Sequence, residues 1–130
     1  MGRKILIGIL VAAAIFAVGY LPQYSRYRQA RQQYLDTAFE HRLCAIRDAV
    51  SLTYLEATRK NFGIAAQHST QYFNRVRDAS QDASDPGLKS SLQELLAVRD
   101  KITSGLSGAD PAVIGELQAL VQRTFEITRP

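Results

Sequence analysis

The chain has one cysteine and no tryptophan, and only two of its 130 residues are histidine and four proline. A single cysteine cannot close an internal disulfide, so any fold has to rest on packing. No proline occurs between Pro22 and Pro86, which leaves room for long helices. Several signatures of chemistry are also missing: a glycine-rich phosphate loop, G-x-S-x-G, H-E-x-x-H and C-x-x-C-H. Glu-x-x-His, the di-iron bundle motif, does not occur, because Glu40 is followed directly by His41. His41 and Cys44 share a helical face at i and i+3, but with no second pair they fall short of the three or four ligands of a zinc or copper site. His68 lies among small residues and reads as a hydrogen-bonded core or rim histidine. Glu40, Asp48 and Glu56 recur at eight-residue intervals among arginines, and Glu40, Arg47 and Asp48 read as a solvated, salt-bridged face. Their spacing implies no catalytic carboxylate pair. The sequence therefore points to no catalytic residue, no metal site and no cofactor, and to a protein that is not an enzyme. The formal charge is +4, half of it from Arg3 and Lys4. The rest is spread along the chain, and without a concentrated basic stripe nucleic acid is excluded as a partner.

What is present begins with Ile5 to Leu21, seventeen residues without a charge. As a helix they rise about 25 Å, at the short end of what a hydrocarbon core of about 30 Å requires. Arg3 and Lys4 can snorkel at one end and Tyr20, Tyr24 and Tyr27 can lie among headgroups at the other. A cleavable secretory signal competes for the same residues. Its best processing site, Ala17-Val18-Gly19 before large Tyr20, is a poor match, whereas Leu21-Pro22 and Arg26, Arg28 and Arg31 resemble the flank of a retained anchor. Cys44 lies too far along for a lipoprotein, and position 6 lacks the Ser or Thr of a myristoylation signal. Basic residues at the two ends of the run are almost balanced. The signal-anchor layout of a four-residue basic tail, 1–4, followed at once by the apolar run 5–21 places the N-terminus in the cytoplasm and the rest outside it. The expected membrane-interface residues are Arg3, Lys4, Tyr20, Tyr24, Arg26, Tyr27, Arg28 and Arg31, and the arginine–tyrosine cluster after Pro22 suits anionic headgroups.

From Phe39 the pattern Phe39, Leu43, Ile46, Val50, Thr53, Ala57 steps by four and three, which is the seam of a coiled coil or one face of a bundle helix. A second stripe starts at Leu52 and Leu55 and passes through Phe62, Ala66, Ser69, Phe73 and Val76, so the helix needs two neighbours there. Asn61-Phe62-Gly63 is the one weak point in a helix expected to continue to about residue 80. Asp85-Pro86 is a helix start, Asp capping and Pro in the first turn, and Asp110-Pro111 repeats it. Between and beyond them Leu88, Leu92, Leu95, Ile102 and Leu106, then Val113, Ile114, Leu117, Leu120, Val121 and Phe125, keep helical spacing. No strand-like alternation of useful length appears.

These signals predict an all-α protein: an N-terminal transmembrane helix, a helical, partly coiled-coil neck or stalk over 22–51, and a distal antiparallel three-helix bundle over 52–128. Its helices are expected to run to about 80, over 86–106 and over 111–128. The face Phe39, Leu43, Ile46, Val50 is then left without an intrachain cover, and such apolar surface marks an interaction site. The expected function is a non-catalytic envelope structural or interaction module. Its partners would be the bilayer and either a second copy through the stalk or another membrane protein. Two alternatives are a sensory or small-ligand bundle, with Tyr54, Phe62, His68, Tyr72 and Phe73 around a pocket and signals passed laterally, and a secreted helical protein if residues 1–19 are removed.

Overall fold

The computed structural model describes residues 2–129; the side chains of Ala13 and of residues 16–22 fall outside that description. All regular structure among the described residues is helical: α1 (Gly2–Thr58), α2 (Phe62–Asp82), α3 (Pro86–Leu96), α4 (Arg99–Ser107) and α5 (Val113–Ile127). The chain divides into two compact units, 1–38 and 39–130. Within the first, residues 23–37 of α1 are exposed on every side. Among the described residues no helix is long and apolar enough to cross a membrane. Within the expected anchor, 5–21, the side chains of residues 13 and 16–21, including Tyr20, are not described, and the described residues lend the span no support.

The second unit is an antiparallel four-helix bundle. Its walls are residues 39–58 of α1, then α2, then α3 and α4 end to end, then α5. The directions follow from side-chain bridges. Arg42 pairs with Asp82, and Arg75 Nη1 donates to the Ala45 carbonyl at 2.8 Å, so α2 runs back along α1. Arg123 pairs with Glu94 and Lys101 with Glu116 at 2.6 Å, so α5 runs back along α3 and α4. Arg47 donates to the Thr128 carbonyl, closing the end of α5 onto α1. Inside lies one apolar cluster to which all four walls contribute, among them Ile46, Val50, Tyr72, Phe73, Val76, Leu92, Leu95, Ile102 and Leu117.

Two expectations about this unit are corrected. The bundle has four walls from Phe39 onward, not three from Leu52, and the stripe Phe39, Leu43, Ile46, Val50 is no free face. Leu43, Ile46 and Val50 are 4%, 0% and 0% exposed, and Phe39 is half-buried against the same core. The cause is where the chain turns. Instead of continuing to about residue 80, α1 stops at Thr58, and α2 folds back over the residues expected to form a bare stalk.

That turn is a Schellman motif built without glycine. The Lys60 amide donates to the Ala57 carbonyl and the Asn61 amide to the Glu56 carbonyl, both at 2.9 Å, while Lys60 takes φ 63°. The α4–α5 turn repeats it: the Ala109 amide donates to the Leu106 carbonyl at 3.1 Å and the Asp110 amide to the Gly105 carbonyl at 2.9 Å, with Ala109 at φ 50°. A left-handed conformation costs an L residue about 1–2 kcal/mol, against about 0.4–1 kcal/mol of extra chain entropy that glycine brings to the unfolded state. Lys60→Gly and Ala109→Gly are therefore each expected to stabilise the bundle, by up to about 1 kcal/mol in urea unfolding. A loss of stability in both would show that the cap geometry does not strain those residues.

The helix starts follow their expected chemistry more closely. Asp85 Oδ2 accepts from the Leu88 amide at 2.7 Å with Pro86 in the first turn. Asp110 Oδ1 accepts from the Ala112 amide at 2.9 Å, and regular helix begins two residues after Pro111, at Val113. The helix expected over 86–106 is interrupted at Ala97–Val98, where the Ala97 amide reaches the Glu94 carbonyl at 3.2 Å in a tighter turn. Gly105 sets how closely α4 and α5 approach. A Cβ there would lie 2.7 Å from Val113 Cγ2 and 2.9 Å from Val113 Cβ. Gly105→Ala would gain about 1 kcal/mol of helix propensity but drive a methyl into an atom fixed to the α5 backbone. Overpacking of about 1–3 kcal/mol outweighs the gain. A lower urea midpoint with unchanged helical content is the expected result, and a higher midpoint would mean that α5 moves aside freely.

Candidate functional site

A groove of about 470 Å³ lies between α1 and α2, lined by Arg42, Ala45, Arg75, Asp78, Ala79, Gln81 and Asp82. It exists because Ala45 and Ala79 make a shallow floor where the two helices meet. Its charges are matched and engaged: Arg42 holds Asp82, Arg75 holds the Ala45 carbonyl, and Asp78 accepts from Arg77 at 3.2 Å. The two guanidinium groups and two carboxylates of the lining sum to no net formal charge. Two smaller clefts, of about 90 and 100 Å³, lie between α5 and the α3–α4 wall and include the ion-paired Glu116.

At the α1–α2 turn, Glu56 collects polar contacts. Asn61 Nδ2 donates to it at 2.8 Å and Arg59 Nη1 at 3.1 Å. The Asn61 amide, helped by Arg59 and by nearby His68, holds its carboxyl below the usual glutamate range even though partial desolvation pushes the other way. A carboxylate held ionised by an asparagine at a helix end braces the turn; proton transfer would call for the opposite shift. The eight-residue spacing of Glu40, Asp48 and Glu56 does not single out Glu56; the signal that marks it is the Glu-x-x-Arg spacing just ahead of Asn61.

Arg47 Nη2 donates to Cys44 Sγ at 2.9 Å while Nη1 reaches Thr128. The one thiol is therefore tied to the bridge that closes α5 onto α1. His41, on the same turn of α1, is exposed. Among the described residues no group of three or more His, Cys, Asp or Glu could hold a metal ion. The residues considered for a ligand pocket are dispersed. Tyr72 and Phe73 are packed edge to face inside the core, with ring centroids 4.9 Å apart, and Tyr54, Phe62 and His68 lie half-buried. None of the five lines the groove or the two clefts. Of the expected membrane-interface residues, Arg3, Lys4, Tyr24, Arg26, Tyr27, Arg28 and Arg31 are all exposed on α1, with the Arg28 guanidinium 5.7 Å from the Tyr24 ring centre.

The class these features define is an antiparallel four-helix bundle that carries five side-chain ion pairs among its described residues and whose described concavities are open. Comparison of the chain with protein-family models, with curated proteins and with solved structures finds no match.

Proposed function

We propose that the chain is a non-catalytic, single-span membrane protein that presents its bundle outside the cytoplasm as an interaction module of the envelope. The observation that carries the reading is the seventeen-residue run Ile5 to Leu21 without a charge, with Arg3 and Lys4 before it and Tyr24, Arg26, Tyr27 and Arg28 after it. On this reading the bundle acts through its surface. That surface keeps Leu52, Leu55, Ile64 and Phe125 at 40–47% exposure for a protein partner. The homodimer expected through Phe39, Leu43, Ile46 and Val50 is not carried forward, because that face is inside the bundle.

The protein is expected to remain with membranes through alkaline carbonate extraction, and removal of residues 1–21 should release a soluble helical fragment. A mature chain starting near Tyr20 would instead identify a secreted protein. A reporter fused after Pro130 should work only outside the cytoplasm, and activity of a cytoplasm-only reporter there would reverse the orientation.

A further inference from the structure

The segment that follows the apolar run has two dissimilar sides. At about 100° per residue, Tyr24, Tyr27, Arg28, Arg31, Tyr34 and Leu35 fall within an arc of about 120° on α1, while Arg26, Gln29, Gln33 and Asp36 hold the opposite side. The tyrosines of the first side are 52%, 66% and 74% exposed and Leu35 is 54% exposed. The chain holds no carboxylate between Gln23 and Leu35. This arc therefore combines amphipathic rings, an aliphatic side chain and two guanidinium groups of uncancelled charge. We propose that this face docks along the phosphate headgroups of an anionic lipid leaflet, so that residues 23–35 lie on the membrane and do not stand away from it. The proposal rests on the membrane-anchor reading of residues 5–21 and deepens it.

Charge and shape select that occupant. Arginine forks match phosphate oxygens, and tyrosine rings suit the headgroup layer, where one end of the side chain is apolar and the other wet. A second copy of the chain is disfavoured, because parallel helices meeting on this face would set Arg31 against Arg31. The geometry also limits how the neck leaves the bilayer. A helix rising straight from Leu21 would carry Tyr34 about 20 Å above the span, past the headgroups, leaving its ring and Leu35 in water. Pro22 supplies no amide proton to the helical ladder. Docking requires the axis to bend toward the surface after the span, and Pro22, where that ladder lacks a bond, is the position at which a bend costs least.

The test uses the full chain with Cys44→Ser, reconstituted in vesicles of phosphatidylcholine alone or mixed with phosphatidylglycerol. One environment-sensitive fluorophore is attached through Tyr34→Cys or, on the opposite side, through Gln33→Cys. In the anionic vesicles the label at 34 should be quenched by lipid-borne nitroxide and shielded from aqueous iodide, while the label at 33 remains open to iodide. Adding Arg28→Gln and Arg31→Gln should lower the docked-to-free ratio read at position 34 about thirtyfold, from roughly fivefold for each arginine removed. Equal iodide access at 33 and 34 in a chain that still floats with the vesicles would overturn the docking while leaving the anchor intact. Self-quenching that depends on the labelled fraction would overturn it in favour of a second copy. A chain that does not float with either vesicle overturns the anchor reading and this inference with it.

Discussion

A chain in which Leu43 and Ile46 are both serine is expected to lose its bundle. The two side chains are 4% and 0% exposed, in a cluster shared by all four walls. Truncating one buried leucine or isoleucine removes about 2–5 kcal/mol, through lost transfer energy and the cavity left behind. Each serine hydroxyl placed there adds a desolvation penalty unless a carbonyl one turn back accepts it. The pair are i, i+3 neighbours and couple, so their effects need not sum, but a combined loss above about 5 kcal/mol reaches the whole stability of an ordinary domain at about 5–15 kcal/mol. Loss of the cooperative thermal transition in circular dichroism is the expected result. A double variant that melts within about 1 kcal/mol of the parent would show that α1 is not a wall of the core and would restore its stripe as a docking face. By the same reasoning a fragment beginning at Leu52 should not fold, because it lacks the wall that covers Val76 and Ala79.

The second large effect is expected at high pH from Tyr72, whose hydroxyl crosses the core to Thr124 Oγ1 at 2.7 Å. Thr124 already donates to the Leu120 carbonyl at 2.7 Å, so the phenol is the donor in this pair. Burial pushes its pKa from 10.0 up to about 12, against a smaller opposing effect of the Thr124 hydrogen bond. The sign follows from proton counts: between pH 10 and 12 the unfolded phenol loses its proton while the folded one keeps it, so stability falls as pH rises through that window. Two pKa units correspond to about 2.7 kcal/mol. Tyr72→Phe removes both the hydrogen bond, worth about 1 kcal/mol, and the titration. The parent should thus be the more stable protein near neutrality and the less stable one near pH 12. Urea midpoints of the two proteins measured from pH 8 to 12 check this, and a difference that does not change with pH would mean that the phenol ionises equally in both states.

The candidate surface features were legible to different degrees. The Tyr and Arg composition of the neck and the uncharged run before it are plain in the chain, because headgroup and hydrocarbon preferences belong to residue types. The groove over Ala45 and Ala79 was not legible, since it depends on which helices meet there. Nothing in the spacing of Glu40, Asp48 and Glu56 sets Glu56 apart, because only the turn brings the Asn61 side-chain amide onto it.

The fold divides in the same way. The all-helical character, the starts at Asp85 and near Asp110, and the apolar positions from Leu92 to Leu120 follow from the sequence by itself. Capping is a contract between a side chain and backbone amides two or three residues away, and helical periodicity is equally local. The turn at Lys60 escaped that reading because a left-handed cap usually carries glycine, and here lysine and, at the second turn, alanine accept the strain. The interruption at Ala97–Val98 escaped it too, with no proline or glycine to mark it. Only the tertiary structure decided that the stripe from Phe39 to Ala57 is covered by its own chain. Burial is nondirectional and rewards any apolar neighbour alike, so a stripe at three-and-four spacing states that it must be covered without stating by what. The answer depended on one turn, Arg59 to Asn61, placing α2 back along α1.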